Sequence, residues 1–162
     1  MANQQAIYIR EEANQIASPC LLANEYNIGD FVAQVAGNAV SAADFTWNTN
    51  LATTQTDFSA VFIGHCYQYK AANSNQVYGN STALDLGVST SGVYQAPLQA
   101  ATTIAVGDWI GLAKNPSTNE LLSQVVVKVD AEAKAIGKAV EAGTDLENVK
   151  FRIFSRVLPL AK

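Results

Sequence analysis

The chain has 162 residues, 49% of them hydrophobic and only 15% charged, with a formal net charge of −4. That length makes one domain with a sizeable core, and a composition so poor in charge excludes charge-driven disorder. An isoelectric point near 4.8 and the lack of any Lys/Arg cluster exclude a surface built for nucleic-acid phosphates. The N-terminus shows no basic region followed by an apolar run, and no stretch nears about 18 consecutive apolar residues. The expectation is a soluble protein made inside the cell, with neither membrane nor nucleic acid among its partners.

Residues 6–10 fit a short strand and residues 11–17 a helical turn ahead of Pro19. Neither is long enough to hold itself together, so residues 1–27 are expected to form an extended N-terminal arm on a larger surface, anchored by Tyr8 and Tyr26. Residues 28–162 then make a β-rich domain. Its first strand spans residues 29–35, with Phe31, Ala33 and Val35 on one face. Residues 40–56 contain Phe45 and Trp47 but no clean period, and read as a long irregular excursion. Residues 58–70 are the most strand-like run, and Gly64 in its middle marks a bulge or a close backbone approach.

Residues 71–81 read as a surface loop, and the glycosylation-type triplet Asn80-Ser81-Thr82 carries no weight without a secretion signal. Strands follow at residues 84–88, at 92–96 up to Pro97, and at 107–113 from a Gly-Asp turn. Residues 121–129 alternate, and Leu121, Ser123, Val125, Val127 and Val129 are expected to face the core. Residues 130–143 are ambiguous: Asp130 is a good N-cap with Ala133, Ile136 and Val140 at helical spacing, while a turn followed by a strand is the alternative. Residues 148–157 close the chain as a half-buried strand with Lys150, Arg152 and Arg156 on its outer face.

Catalytic chemistry finds little to work with. The only histidine, His65, adjoins Cys66, and neighbours along a strand point to opposite faces. A packed or surface histidine is expected, with Cys20 and Cys66 as free buried thiols or, alternatively, a disulfide. A zinc site needs more His and Cys than the chain has. Asp30 and Asp108 each follow a glycine at the start of a strand, where a short acid bonds turn backbone. No catalytic, metal-binding or cofactor-binding residue is expected, no cofactor, and not an enzyme.

Gly92-Val93-Tyr94 with Pro97, then Val106-Gly107-Asp108 before an aromatic, then the run from Ala135-Ile136-Gly137 to Ala142 before a strand at residues 149–154, form an ordered series. Gly29-Asp30-Phe31-Val32 fits its opening strand. The series resembles the small capsid decoration, or cement, proteins of tailed bacteriophages, over roughly residues 28–162. The resemblance implies a mainly β protein, a single β-barrel or β-tulip-like decoration domain, with Gly137 inside a strand. It implies a homotrimer on the outer capsid surface of the virion, bound to the major capsid protein after synthesis in the host cytoplasm. Ile7, Tyr8 and Ile9 put apolar groups on both faces of an extended arm, so one face must be covered. With Tyr26 they are the expected capsid-binding residues. The alternative from another class is a carbohydrate-binding β-sandwich that stacks sugars on Trp47, Trp109, Tyr67, Tyr69 or Tyr94.

Overall fold

In the computed structural model, which describes residues 7–10 (backbone only), 14–78 and 84–156, strands hold 46% of the chain against 9% helix. The mainly β expectation therefore holds. The first hairpin joins β3 (Phe31–Val35) to β4 (Asn38–Ser41) through Ala36 and Gly37, at φ 49° and 82°. Positive φ at both residues of a two-residue turn matches the twist of the paired strands.

Two antiparallel sheets organise the described residues. The six-stranded sheet runs β1 (Ile7–Arg10), β7 (Ser91–Pro97), β13 (Asn148–Phe154), β11 (Gly137–Ala139), β9 (Trp109–Lys114), β10 (Leu121–Val129). The five-stranded sheet runs β2 (Gln15–Pro19), β6 (Asp85–Ser89), β5 (Phe62–Cys66), β3, β4. A short ladder pairs β8 (Thr103–Ile104) with β12 (Gly143–Thr144). Both sheets curl, and together they form a half-barrel. Leu98, just past β7, bridges Val126 of β10, and Cys20, just past β2, bridges Ala39 of β4. Each curl thus ties its far strand back toward its start, which spares backbone edges.

The larger core fills the curl of the six-stranded sheet, where Tyr94, Ile110, Val126, Phe151 and Ile153 meet Phe31, Phe58 and Phe62. Phe31 sits 5.9 Å from Phe151 and 6.3 Å from Phe62, centroid to centroid, in tilted contacts. The opposite faces of β3 and β5 carry Val32, Ile63 and Cys66 into a second core with Tyr26, Leu86 and Val88. Covered on both sides, β5 is buried at all five of its residues, His65 included.

Several expectations need correction. The region expected to be irregular and the start of the expected strand at residue 58 contain helix α1 (Leu51–Ala60), with β5 beginning only at Phe62. Val35 does not share the core face of Phe31 and Ala33, since it lies 41% exposed at the hairpin turn. In β10 the pairing with β9 slips between Leu121 and Val126, so the inward residue after the bulge is Val126, and Val125 is only half-buried. The boundary expected at residue 27 is not where the fold begins: β2 pairs with β6 over five residues, and Cys20 and Tyr26 are core. The ambiguous residues 130–143 resolve into one 3-10 turn (Glu132–Lys134) followed by β11, the turn-then-strand alternative.

Candidate functional site

Of the four expected capsid-binding residues, Tyr26 is displaced from any surface role. Its side chain is fully buried, its hydroxyl donates to the Ala39 carbonyl at 2.6 Å and accepts from the Leu21 amide at 3.2 Å. Burial pushes the phenol up to about 12. The reason is local: the loop of residues 21–25 must close over the second core, and Tyr26 is the plug that fills it. Ile7, Tyr8 and Ile9 lie in β1, at the outer edge of the six-stranded sheet. Ile7 pairs with Gln95 and Tyr8 with Tyr94, and a register shift before Arg10 leaves Ile9 as the extra residue of a bulge. Their side chains fall outside the described residues.

His65 and Cys66 part company as strand geometry requires. The His65 ring lies tilted against Tyr94 at 4.4 Å and edge-on to Phe31 at 5.9 Å, both members of the larger core, whereas Cys66 enters the smaller one. The Cys66 thiol donates to the Gln68 carbonyl at 2.8 Å, and burial pushes it up to about 12, so it is no thiolate at neutral pH. Burial also raises Cys20, and both cysteines are free. Gly64 next to them is demanded by a close approach, since a β-carbon there would collide with the Ser89 carbonyl oxygen. Asp30 accepts from the Asn27 amide at 2.8 Å and Asp108 from the Ala105 amide at 2.8 Å, each three residues back, the turn role expected of both. Among the described residues no three His, Cys, Asp or Glu side chains gather closely enough to hold a metal.

The outer face of the six-stranded sheet carries a different kind of feature. Trp109, Lys138 and Arg152 stand in one row across β9, β11 and β13. Lys138 Nζ lies 4.6 Å above the indole, and Phe154 meets Trp109 edge-on at 6.3 Å. These side chains, with Val140 and Glu132, line an open groove of about 320 Å³. Around it Lys128 pairs with Asp108 at 2.8 Å and Lys150 with Glu141 at 3.0 Å. The sequence showed the basic face of β13 but not its junction with Trp109, because the three residues come from strands that only the fold makes neighbours. Of the other aromatics expected to stack sugars, Tyr94 is core, Tyr67 roofs Gly87, Tyr69 is exposed and Trp47 half-buried.

No family model matches the chain, and no curated protein matches it. The functional reading rests on residues and geometry. Of the segments behind the resemblance to decoration proteins, those within residues 92–97, 135–142 and 149–154 fall on β7, β11 and β13, neighbours in one sheet; Val106-Gly107-Asp108 leads into β9 beside them, and Gly29-Asp30-Phe31-Val32 opens β3 in the other sheet. Gly137 opens β11, where a β-carbon would collide with the Arg152 carbonyl oxygen, so β11 can lie against β13 only with glycine there.

Proposed function

We propose that this chain is a structural protein that binds the outer surface of a phage capsid as a homotrimer and reinforces contacts between major capsid protein subunits. It is made in the host cytoplasm and ends on the virion. The observation that carries this reading is that three of the resemblance-bearing segments fall on the adjacent strands β7, β13 and β11 of one curled sheet and a fourth leads into the next strand, β9. A shell under internal pressure fails when subunit contacts break, and a protein bridging several subunits adds contacts that must break first. Trimerisation multiplies them by avidity, since each bound protomer holds the other two near their sites. The edge strand β1, with backbone groups facing away from β7, is the part of the fold suited to strand addition by a partner.

The test is co-sedimentation with capsids assembled from the major capsid protein encoded alongside it, together with the solution mass by light scattering. A trimeric mass, saturable binding and capsids that open at higher temperature are expected. A monomer at micromolar concentration that leaves capsids unbound and no more stable would overturn the proposal.

A further inference from the structure

A further surface depression lies away from the outer face of the six-stranded sheet. It is a hollow of about 620 Å³ between the β3–β4 turn and α1, floored by Phe45 and Val61 and walled by Trp47. Trp47 belongs to neither core and is half-buried. Phe45 is locked edge-on to Phe58 at 5.1 Å, and Lys114 Nζ sits 5.7 Å from the Trp47 ring centroid. The floor is therefore held in place before any ligand arrives, while Lys114 lies over one face of the indole.

Beside the indole stands a pre-oriented polar pair. Asn48 Nδ2 donates to Asp57 Oδ2 at 2.9 Å, and the Asn48 carbonyl oxygen of the side chain accepts from Thr49 Oγ1 at 3.0 Å. The buried Thr54 hydroxyl accepts from the Asn48 N–H at 2.9 Å and shares its one hydrogen between the Asn48 and Asn50 carbonyls, each at 2.9 Å. What this leaves open is Asp57 Oδ1 as an acceptor and the second Nδ2 hydrogen of Asn48 as a donor, neither bonded elsewhere among the described residues. The turn that sets Asn48 in position holds Thr49 at φ 33°, a region that β-branched residues adopt only under strain.

We propose that this depression binds a neutral saccharide, with a pyranose ring stacked on Trp47 and adjacent hydroxyls bonded by Asp57 and Asn48. A pyranose offers one apolar C–H face and a rim of hydroxyls that both donate and accept, and the hollow offers an indole face beside one fixed acceptor and one fixed donor. Asp57 on the rim and Lys114 over the indole are of opposite sign, so the site has no net charge with which to favour an anionic or a cationic sugar. The site is independent of the capsid reading and stands if capsid binding fails.

The chain's two tryptophans make the test selective. The indole N–H resonances of Trp47 and Trp109 are followed by NMR during titration with maltohexaose, cellohexaose, mannohexaose and chitohexaose at millimolar concentration. A saturable shift of the Trp47 signal with one of them, and none at Trp109, is expected. Asn48→Ala and Asp57→Ala should each weaken that binding by roughly tenfold or more, the loss of one hydrogen bond, with far-UV spectra unchanged. Trp47→Phe should retain weaker binding. A Trp47 signal unmoved by all four sugars, an equal shift at Trp109, or Asn48→Ala binding like the parent would overturn the proposal.

Discussion

Lys70 carries its ammonium group into the interior beneath the loop of residues 21–25, with a fully buried side chain. Nζ donates to the carbonyls of Leu22 at 2.8 Å, Asn24 at 2.7 Å and Ala71 at 3.2 Å, and lies 5.7 Å from the Tyr26 ring centroid. Three donors meet three acceptors over an aromatic face, which is what makes the burial tolerable. Lys70→Met keeps the stem and removes the donors, so it should cost about 2–4 kcal/mol in urea unfolding through the carbonyls left without partners. A cost within error of zero would show that water replaces the ammonium without penalty. Asp30 makes the complementary case for a carboxylate. Burial raises its affinity for a proton above the ordinary value of 3.8, despite hydrogen bonds from the Asn27 amide and Gln124. A raised carboxyl stabilises the fold fully below the unfolded value and loses that contribution as pH climbs through the folded one. The stability of the parent relative to Asp30→Asn should therefore fall as pH climbs above the ordinary carboxylate value of 3.8 and then level off. Parallel profiles for the two proteins would reject the assignment. The sequence announced Asp30 through its Gly-Asp turn, but gave no sign of Lys70, because a lysine at the end of an aromatic run reads as solvated until the loop that covers it is known.

Helix α1 shows how an element can be real and yet faint in sequence. Its ten residues include three threonines, and it carries neither an acidic first turn nor a basic last one. What begins it is Asn50, whose side chain accepts from the Thr53 amide at 2.9 Å. What holds it is tertiary: Phe58 enters the larger core, Gln55 donates to the Leu112 carbonyl at 2.7 Å and Ser59 to the Ala135 carbonyl at 2.6 Å. An asparagine ahead of a threonine-rich run is too weak a local signal to announce the helix. Strand β10 fails in another way. Its alternation is genuine, but the bulge before Val126 shifts the parity, and the residues it releases, Ser123 and Gln124, reach across to the Ala43 amide at 3.0 Å and to Asp30 at 2.9 Å. Val126→Asp should thus place an unpaired charge in the core and cost several kcal/mol, while Val125→Asp should cost much less. Thermal melts that ranked the two variants the other way round would restore an uninterrupted register.

For the whole molecule, the parallel bridge from Leu98 to Val126 closes the larger curl without β1. Deleting residues 1–12 should consequently leave the body folded and cost it about 1–3 kcal/mol for the lost edge pairing with β7, while, on the proposed function, capsid co-sedimentation weakens. A truncated protein that no longer unfolds cooperatively would make β1 integral to the barrel, and one that binds capsids unchanged would move the attachment elsewhere. Fold class was legible from the start, because strand periodicity, aromatic and β-branched runs and punctuating Gly and Pro are local properties that survive in most packings. The turn roles of Asp30 and Asp108, the separation of His65 from Cys66 and the close approach at Gly64 were equally local, fixed by the pleat and by the bonds a short acid makes to its own turn. The two-sheet division, the burial of Tyr26 and Lys70, the placing of Trp109 beside Lys138 and of Trp47 beside Asp57 were not. Each depends on which residues distant in sequence come to share a sheet or a loop, and a sequence pattern records the face a residue prefers but not the neighbour that covers it.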